Sequence, residues 1–154
     1  MKLMVRLLRW LLSFRYKVEI KGIDLLNNEQ TFLIMPSHVA LVDPIIIYAF
    51  LRGKVKFHLV VTRAYYDTIL LKPFFKWLGA IPVSQFDKDQ GGTEDAKKMI
   101  EQLSCALAHQ TNILLYPQGE LERQGYQSII GKKSAFYTVQ NAPKDTKCIA
   151  VTIR

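Results

Sequence analysis

The chain is predicted to fold as a single α/β domain, a sandwich with a central mixed sheet flanked by helices and preceded by an amphipathic N-terminal helix. Three observations carry this. Short apolar runs of strand length alternate with segments of helical period along most of the chain. The 154 residues, 49% of them hydrophobic, suffice for one core, and 22% charged residues argue against disorder. The first sixteen residues interleave arginines with large apolar side chains. The expected division is residues 1–15 as an interfacial helix and 16–154 as the folded domain.

In the N-terminal segment, Lys2, Arg6, Arg9 and Ser13 recur at steps of four, three and four, with Leu3, Leu7, Trp10, Leu11 and Phe14 on the other side. Arg6 and Arg9 interrupt the apolar run and no small-residue cleavage site follows, so this is not read as a signal peptide. The uninterrupted run is also too short to span a bilayer. Two arrangements satisfy the pattern: a helix lying in a membrane interface, or a terminal helix packed on its own domain with a solvated basic face. Trp10 and Phe14 between arginines suit the headgroup boundary.

Downstream, Arg15 to Lys21 alternates and reads as a half-buried strand, and Thr31 to Met35 as a short apolar strand stopped by Pro36. Asp43-Pro44 opens a helix that runs to Leu51 before Gly53. Lys56 to Thr62 is a buried strand, and 64–78 holds one or two short helices broken at Pro73. A strand over Ala80 to Ser84 leads through a polar loop to a helix over Thr93 to His109, N-capped by Thr93. Strands over Asn112 to Tyr116 and Cys148 to Ile153 enclose a long loop and a helix over 132–140.

The formal charge of +8 favours a phosphate-bearing partner, nucleic acid or an anionic bilayer. No nucleic-acid motif accompanies it, which leaves the bilayer. Cys105 and Cys148 lie far apart without metal-ligand spacing and read as buried thiols of a reducing compartment. No His, Cys or carboxylate grouping has metal-site spacing, so no metal is expected. Gly125 to Ser134 imitates a phosphate loop, but five residues separate Gly125 from Gly131, and Lys133 stands where Ser or Thr is needed. His58 reads as a core histidine, and His109 as a helix-end residue favoured by the dipole. Tyr65, Tyr66, Phe74, Phe75 and Trp77 read as core or rim, or as part of an apolar groove.

The chemistry centres on His38 and Asp43. On one regular helix, five positions differ by about 140° and the two side chains do not meet. Here His38 lies in a strand-to-helix turn and Asp43 at the helix start, so the imidazole can fold back onto the carboxylate. The carboxylate then fixes the tautomer and stabilises the imidazolium, which makes a base for a hydroxyl nucleophile. The alternative is Asp43 as a plain N-cap and His38 as a loop histidine. Gly119, after Pro117, can take positive φ and bring backbone N–H groups close to a ligand, or it is an ordinary turn.

Four blocks carry a resemblance. They are Pro36-Ser37-His38-Val39-Ala40-Leu41-Val42-Asp43; Leu78-Gly79-Ala80-Ile81-Pro82-Val83, preceded by Lys72-Pro73-Phe74; Leu115-Tyr116-Pro117-Gln118-Gly119-Glu120; and Ile149-Ala150-Val151-Thr152-Ile153. In this order they resemble the glycerolipid (lysophospholipid) acyltransferase superfamily from about Lys17 to Ile153, as a divergent member. The resemblance implies that His38 deprotonates an acceptor hydroxyl, with Asp43 orienting it. The hydroxyl attacks an acyl thioester of coenzyme A or acyl carrier protein, which is a substrate rather than a cofactor. No acyl-enzyme is implied, in keeping with the absence of a Gly-x-Ser-x-Gly elbow. It further implies membrane lipids as partners, peripheral attachment at the cytoplasmic face, and a chain that continues past the fourth block. Gln85, Gln118, Gly119, Glu120 and Arg123 are the implied substrate-binding positions.

The departures narrow the acceptor. Ser37 stands where the family commonly has Asn, Ala40 where a small hydroxyl residue is frequent, and Ala150 where Pro is usual. Gln85 stands where an Arg usually holds the acceptor's phosphate, and Glu120-Leu121 where the family reads Thr-Arg. Losing the guanidinium removes a bidentate phosphate fork, and Glu120 adds repulsion. A neutral, zwitterionic or sugar-bearing lipid hydroxyl is therefore expected, unless Arg123, Lys132 or Lys133 replaces the lost cations. The competing reading is a member without catalysis that serves as a membrane-binding interaction module.

Overall fold

The computed structural model describes residues 2–27, 29–83, 92–119 and 133–153. Five strands form one sheet: β1 (Phe32–Pro36), β2 (His58–Thr62), β3 (Ile81–Val83), β4 (Ile113–Leu114) and β5 (Lys147–Val151). Their order is β3-β2-β4-β1-β5 and every pairing is parallel rather than mixed. The cause is the alternation of strand and helix itself. Between each strand and the next lies a helical segment, which returns the chain to the edge of the sheet where the strands begin.

Side chains alternate between two cores as the strand period requires. Phe32, Ile34, Leu59 and Leu114 face one side; Leu33, Ile113, Leu115 and Val83 face the other. The first side is covered by α1 (Lys2–Ser13), α2 (Asp43–Leu51), α3 (Arg63–Tyr66) and α4 (Lys72–Leu78). The second is covered by α5 (Gly92–Ala108), through Met99, Leu103 and Leu107, with α6 (Ser134–Gln140) packed against it. Helix α2 is apolar on all sides because it lies between the sheet and α1. Its Ile47, Tyr48 and Leu51 are buried, and the two aliphatic side chains contribute about 1.5–3 kcal/mol each.

The N-terminal helix is packed on its own domain, the second of the two expected arrangements. It packs on α2 through buried Val5, half-buried Leu8 and Leu12, and Arg9. Arg9 is turned inward rather than out with a basic stripe: Nε donates to the Ala49 carbonyl at 2.7 Å and Nη2 to Phe50 at 3.3 Å. Its guanidinium thereby satisfies carbonyls at the C-terminus of α2, where the helix dipole favours a cation. The apolar side points away from the domain, with Leu3 80%, Trp10 57% and Phe14 71% exposed. Among the described residues no helix is long and apolar enough to cross a membrane.

Several boundaries differ from expectation. Arg15 to Lys21 joins no strand: it leaves α1 through a turn, with Tyr16 N–H on the Leu12 carbonyl, and its alternation finds no ladder partner among the described residues. Between β2 and β3 the helical break falls at 67–71, and Pro73 sits in the first turn of α4, where its missing N–H costs nothing. Lys72 Nζ donates to Asp67 Oδ1 at 2.9 Å across this connector, and that hydrogen bond holds the Asp67 carboxyl below the usual range. Gly79 ends α4 in the left-handed conformation, φ 69°, and Ala80 N–H closes the cap on the Phe75 carbonyl. The helix expected at Thr93 begins at Gly92, and that expected over 132–140 is α6. Both cysteines are free and exposed, not buried: Cys105 lies on the outer side of α5 and Cys148 on edge strand β5.

Candidate active site

All five strands run the same way, so the segments leaving them gather at one edge of the sheet. The chain leaves β1 toward α2 on one side and β4 toward α6 on the other. Neighbouring strands whose connections go to opposite faces open a crevice at their C-terminal ends, where open α/β sheets bind ligands. Two of the four sequence blocks, those containing His38 and Tyr116, meet in this crevice.

The loop from β1 is pinned at its start. Ser37 N–H donates to the Val151 carbonyl at 2.8 Å, and Ser37 Oγ accepts the Ile153 N–H at 2.8 Å. These two bonds tie the residue before His38 to the end of β5. Residues 38–42 then fold back so that Asp43, although in the first turn of α2, makes no side-chain cap to that helix. Its Oδ2 instead accepts the backbone N–H groups of Val39 and Ala40, each at 2.7 Å, and stands 3.3 Å from His38 Nδ1. The spacing of four intervening residues is what allows one carboxylate to reach all three donors. Asp43 is only 2% exposed, so its charge is held by these contacts rather than by water.

A proton on His38 Nδ1 would face Asp43 Oδ2, which accepts but cannot donate when ionised. That assignment leaves Nε2 with its lone pair, on a ring 16% exposed. The constellation can accept a proton and hold the resulting imidazolium. The other wall of the ring is Tyr116, whose ring lies 4.3 Å away, centroid to centroid, with planes 31° apart. Burial, reinforced by the Asp43 charge, pushes the Tyr116 phenol well above its ordinary pKa.

Gly119 has the expected positive φ, 67°, and its N–H donates to the Tyr116 carbonyl at 3.1 Å, closing the turn after β4. That N–H is engaged in the turn. Gln118 is buried in the same turn. Gln85, Glu120, Arg123 and Lys132 lie outside the described residues, as does most of the Gly125 to Ser134 segment; Lys133 is exposed. His58 is half-buried with Nδ1 2.5 Å from the Gly79 carbonyl, and exposed His109 bonds through Nδ1 to the Cys105 carbonyl at 2.8 Å. Neither reaches the crevice contacts. Tyr66, Phe74, Phe75 and Trp77 pack against the first core, whereas Tyr65 is exposed.

Two site residues escaped sequence reasoning. Ser37 registered only as a departure from a pattern, yet it positions the histidine loop. Tyr116 stands in the sequence only as the end of an expected strand and a member of the third block. The available signal was its place, the last residue before Pro117 on a strand destined for the sheet centre.

The sequence model of a family described as Acyltransferase matches residues 17–154. No curated protein matches the chain by sequence. Among solved structures, the chain is similar to the crystal structure of PlsC, the 1-acyl-sn-glycerophosphate (LPA) acyltransferase from Thermotoga maritima. The TM-score is 0.61 at 14% identity, covering 97% of this chain and 63% of that one. At that identity the likeness is one of fold, and the chain spans less than two thirds of the length of PlsC.

Proposed function

Because the chain belongs to the acyltransferase family, with residues 17–154 matched, we propose that it moves a fatty acyl group from a thioester to a lipid hydroxyl. The observation that carries this reading is the buried Asp43 carboxylate held against His38 Nδ1. His38 Nε2 takes the proton of the acceptor hydroxyl as its oxygen attacks the thioester carbonyl carbon. The imidazolium is stabilised by Asp43 while the tetrahedral intermediate stands. Collapse breaks the C–S bond, and the departing thiolate takes the proton back from His38, leaving an ester and a free thiol. The donor is acyl-CoA or acyl carrier protein. With purified protein and labelled donor, His38→Ala is expected to abolish transfer. Full activity in that variant would remove His38 as the base. Folded native protein without transfer or thioester hydrolysis would favour the interaction-module reading.

The acceptor is proposed to be a neutral, zwitterionic or sugar-bearing lipid, because Gln85 and Glu120 replace a phosphate grip. Parallel assays on lysophosphatidic acid, glycolipid and amino-lipid acceptors test this. A clear preference for lysophosphatidic acid overturns it.

The site is proposed to work at a membrane surface, on the cytoplasmic side. The exposed apolar side of α1 supports this, as do Ile69 and Leu70, 88% and 85% exposed beside Lys72. Leu7→Glu with Trp10→Glu is expected to abolish flotation with anionic vesicles while leaving the melting temperature unchanged. Unaltered flotation would refute the role of α1.

A further inference from the structure

The His38 ring is held on two sides, by Asp43 at Nδ1 and by Tyr116 against its face. Only the first has a place in the proton transfer described above. Tyr116 leaves β4 at the centre of the sheet, and its carbonyl is fixed by Gly119 N–H at 3.1 Å. Its side chain is thus carried on a rigid strand end rather than on a free loop. The phenolic oxygen is buried and has no hydrogen-bond partner among the described residues. The hydroxyl makes none of the contacts that join His38 to Asp43, which run through Asp43 Oδ2. The part of Tyr116 that meets the chemistry is the ring.

Resting on the reading of His38 as the base, we propose that Tyr116 is a positioning residue. Its aromatic face confines the imidazole to the Asp43 carboxylate and stabilises the imidazolium that forms in the transition state. The neutral imidazole of the ground state gains little from the ring quadrupole, whereas the cation is attracted to it, and the more so away from water. The contribution is therefore larger in the transition state than in the ground state and acts on kcat. It is independent of the hydroxyl, so phenylalanine should serve as well. Removing an unpaired buried oxygen should if anything raise stability.

The test measures kcat and KM for donor and acceptor in the full chain and in Tyr116→Phe, Tyr116→Leu and His38→Ala, with melting temperatures alongside. Tyr116→Leu is expected to lower kcat about 5- to 30-fold with both KM values unchanged. Tyr116→Phe should restore the native kcat and melt no lower than the native chain. If the leucine variant melts early, Tyr116→Met, which keeps a long apolar side chain without a π face, is expected to show the same loss of kcat. Native kcat in the leucine or methionine variant, with His38→Ala inactive, overturns this proposal alone. So does a phenylalanine variant as slow as the leucine one, because the hydroxyl would then carry the effect. Activity in His38→Ala overturns the underlying reading of the base instead.

Discussion

Replacing Asp43 with Asn keeps shape and volume and removes one negative charge, so it separates what the carboxylate does for catalysis from what it does for the loop. For catalysis, the relevant distance is the 3.3 Å between Oδ2 and His38 Nδ1. Unit charges at that distance interact by about 5 kcal/mol at an effective dielectric of about 20. The imidazolium exists only once the acceptor proton has moved, so most of this acts on the transition state. An Asn carbonyl dipole recovers part of it. The expected fall in kcat is about 10³-fold, within the range removed when an acid–base group fails. For the loop, Val39 N–H and Ala40 N–H exchange a charged acceptor for a neutral one at 2.7 Å. That costs about 1–2 kcal/mol in total, which lowers the melting temperature of a chain this size by about 3–6 °C. The assay is steady-state acyl transfer by the purified variant, with calorimetry on the same sample. A variant that keeps more than about a tenth of the native kcat, or loses activity only through KM, would refute the reasoning.

Gly79→Ala forces a side chain into φ 69° and places its Cβ 3.0 Å from His58 Nδ1. A loss of about 1–2 kcal/mol is expected, read as a lower denaturation midpoint with unchanged slope. Arg9→Met removes the bonds to Ala49 and Phe50 while keeping most of the apolar stem. Amide exchange in Lys2–Ser13 should then rise well above that of β1, and unchanged protection would show that Val5 and Leu12 hold the helix alone. Cys148 is exposed on β5, yet the protein around it desolvates the thiol enough to raise its pKa, so less thiolate is present near neutral pH than for a free thiol. Its alkylation by iodoacetamide, followed by peptide mass spectrometry, should be slower than that of glutathione and should accelerate above the ordinary thiol range.

The layer architecture was legible because it rests on local periodicity. Apolar runs at 31–35, 56–62 and 148–153, separated by helical segments, leave little alternative to a sheet with helices on its faces. The amphipathic side of α1 was legible for the same reason. Spacing alone leaves His38 and Asp43 open between a base and a loop histidine beside an N-cap, and only the other blocks favour the base. What periodicity could not convey is partnership. It did not say that Arg15 to Lys21 finds no neighbouring strand, or that Arg9 turns inward to the end of α2. Nor could it say that Cys148 lies on the edge strand of the described sheet. At the site, the residue types and their separation were determined by the sequence: a histidine, four residues, an aspartate, and a Tyr-Pro turn far downstream. Only the tertiary structure decided that β4 lies beside β1, bringing Tyr116 against His38 across 78 positions of chain. Local spacing can fold a carboxylate onto a nearby imidazole, but a contact between distant segments depends on strand order, which is set by the packing of the whole domain.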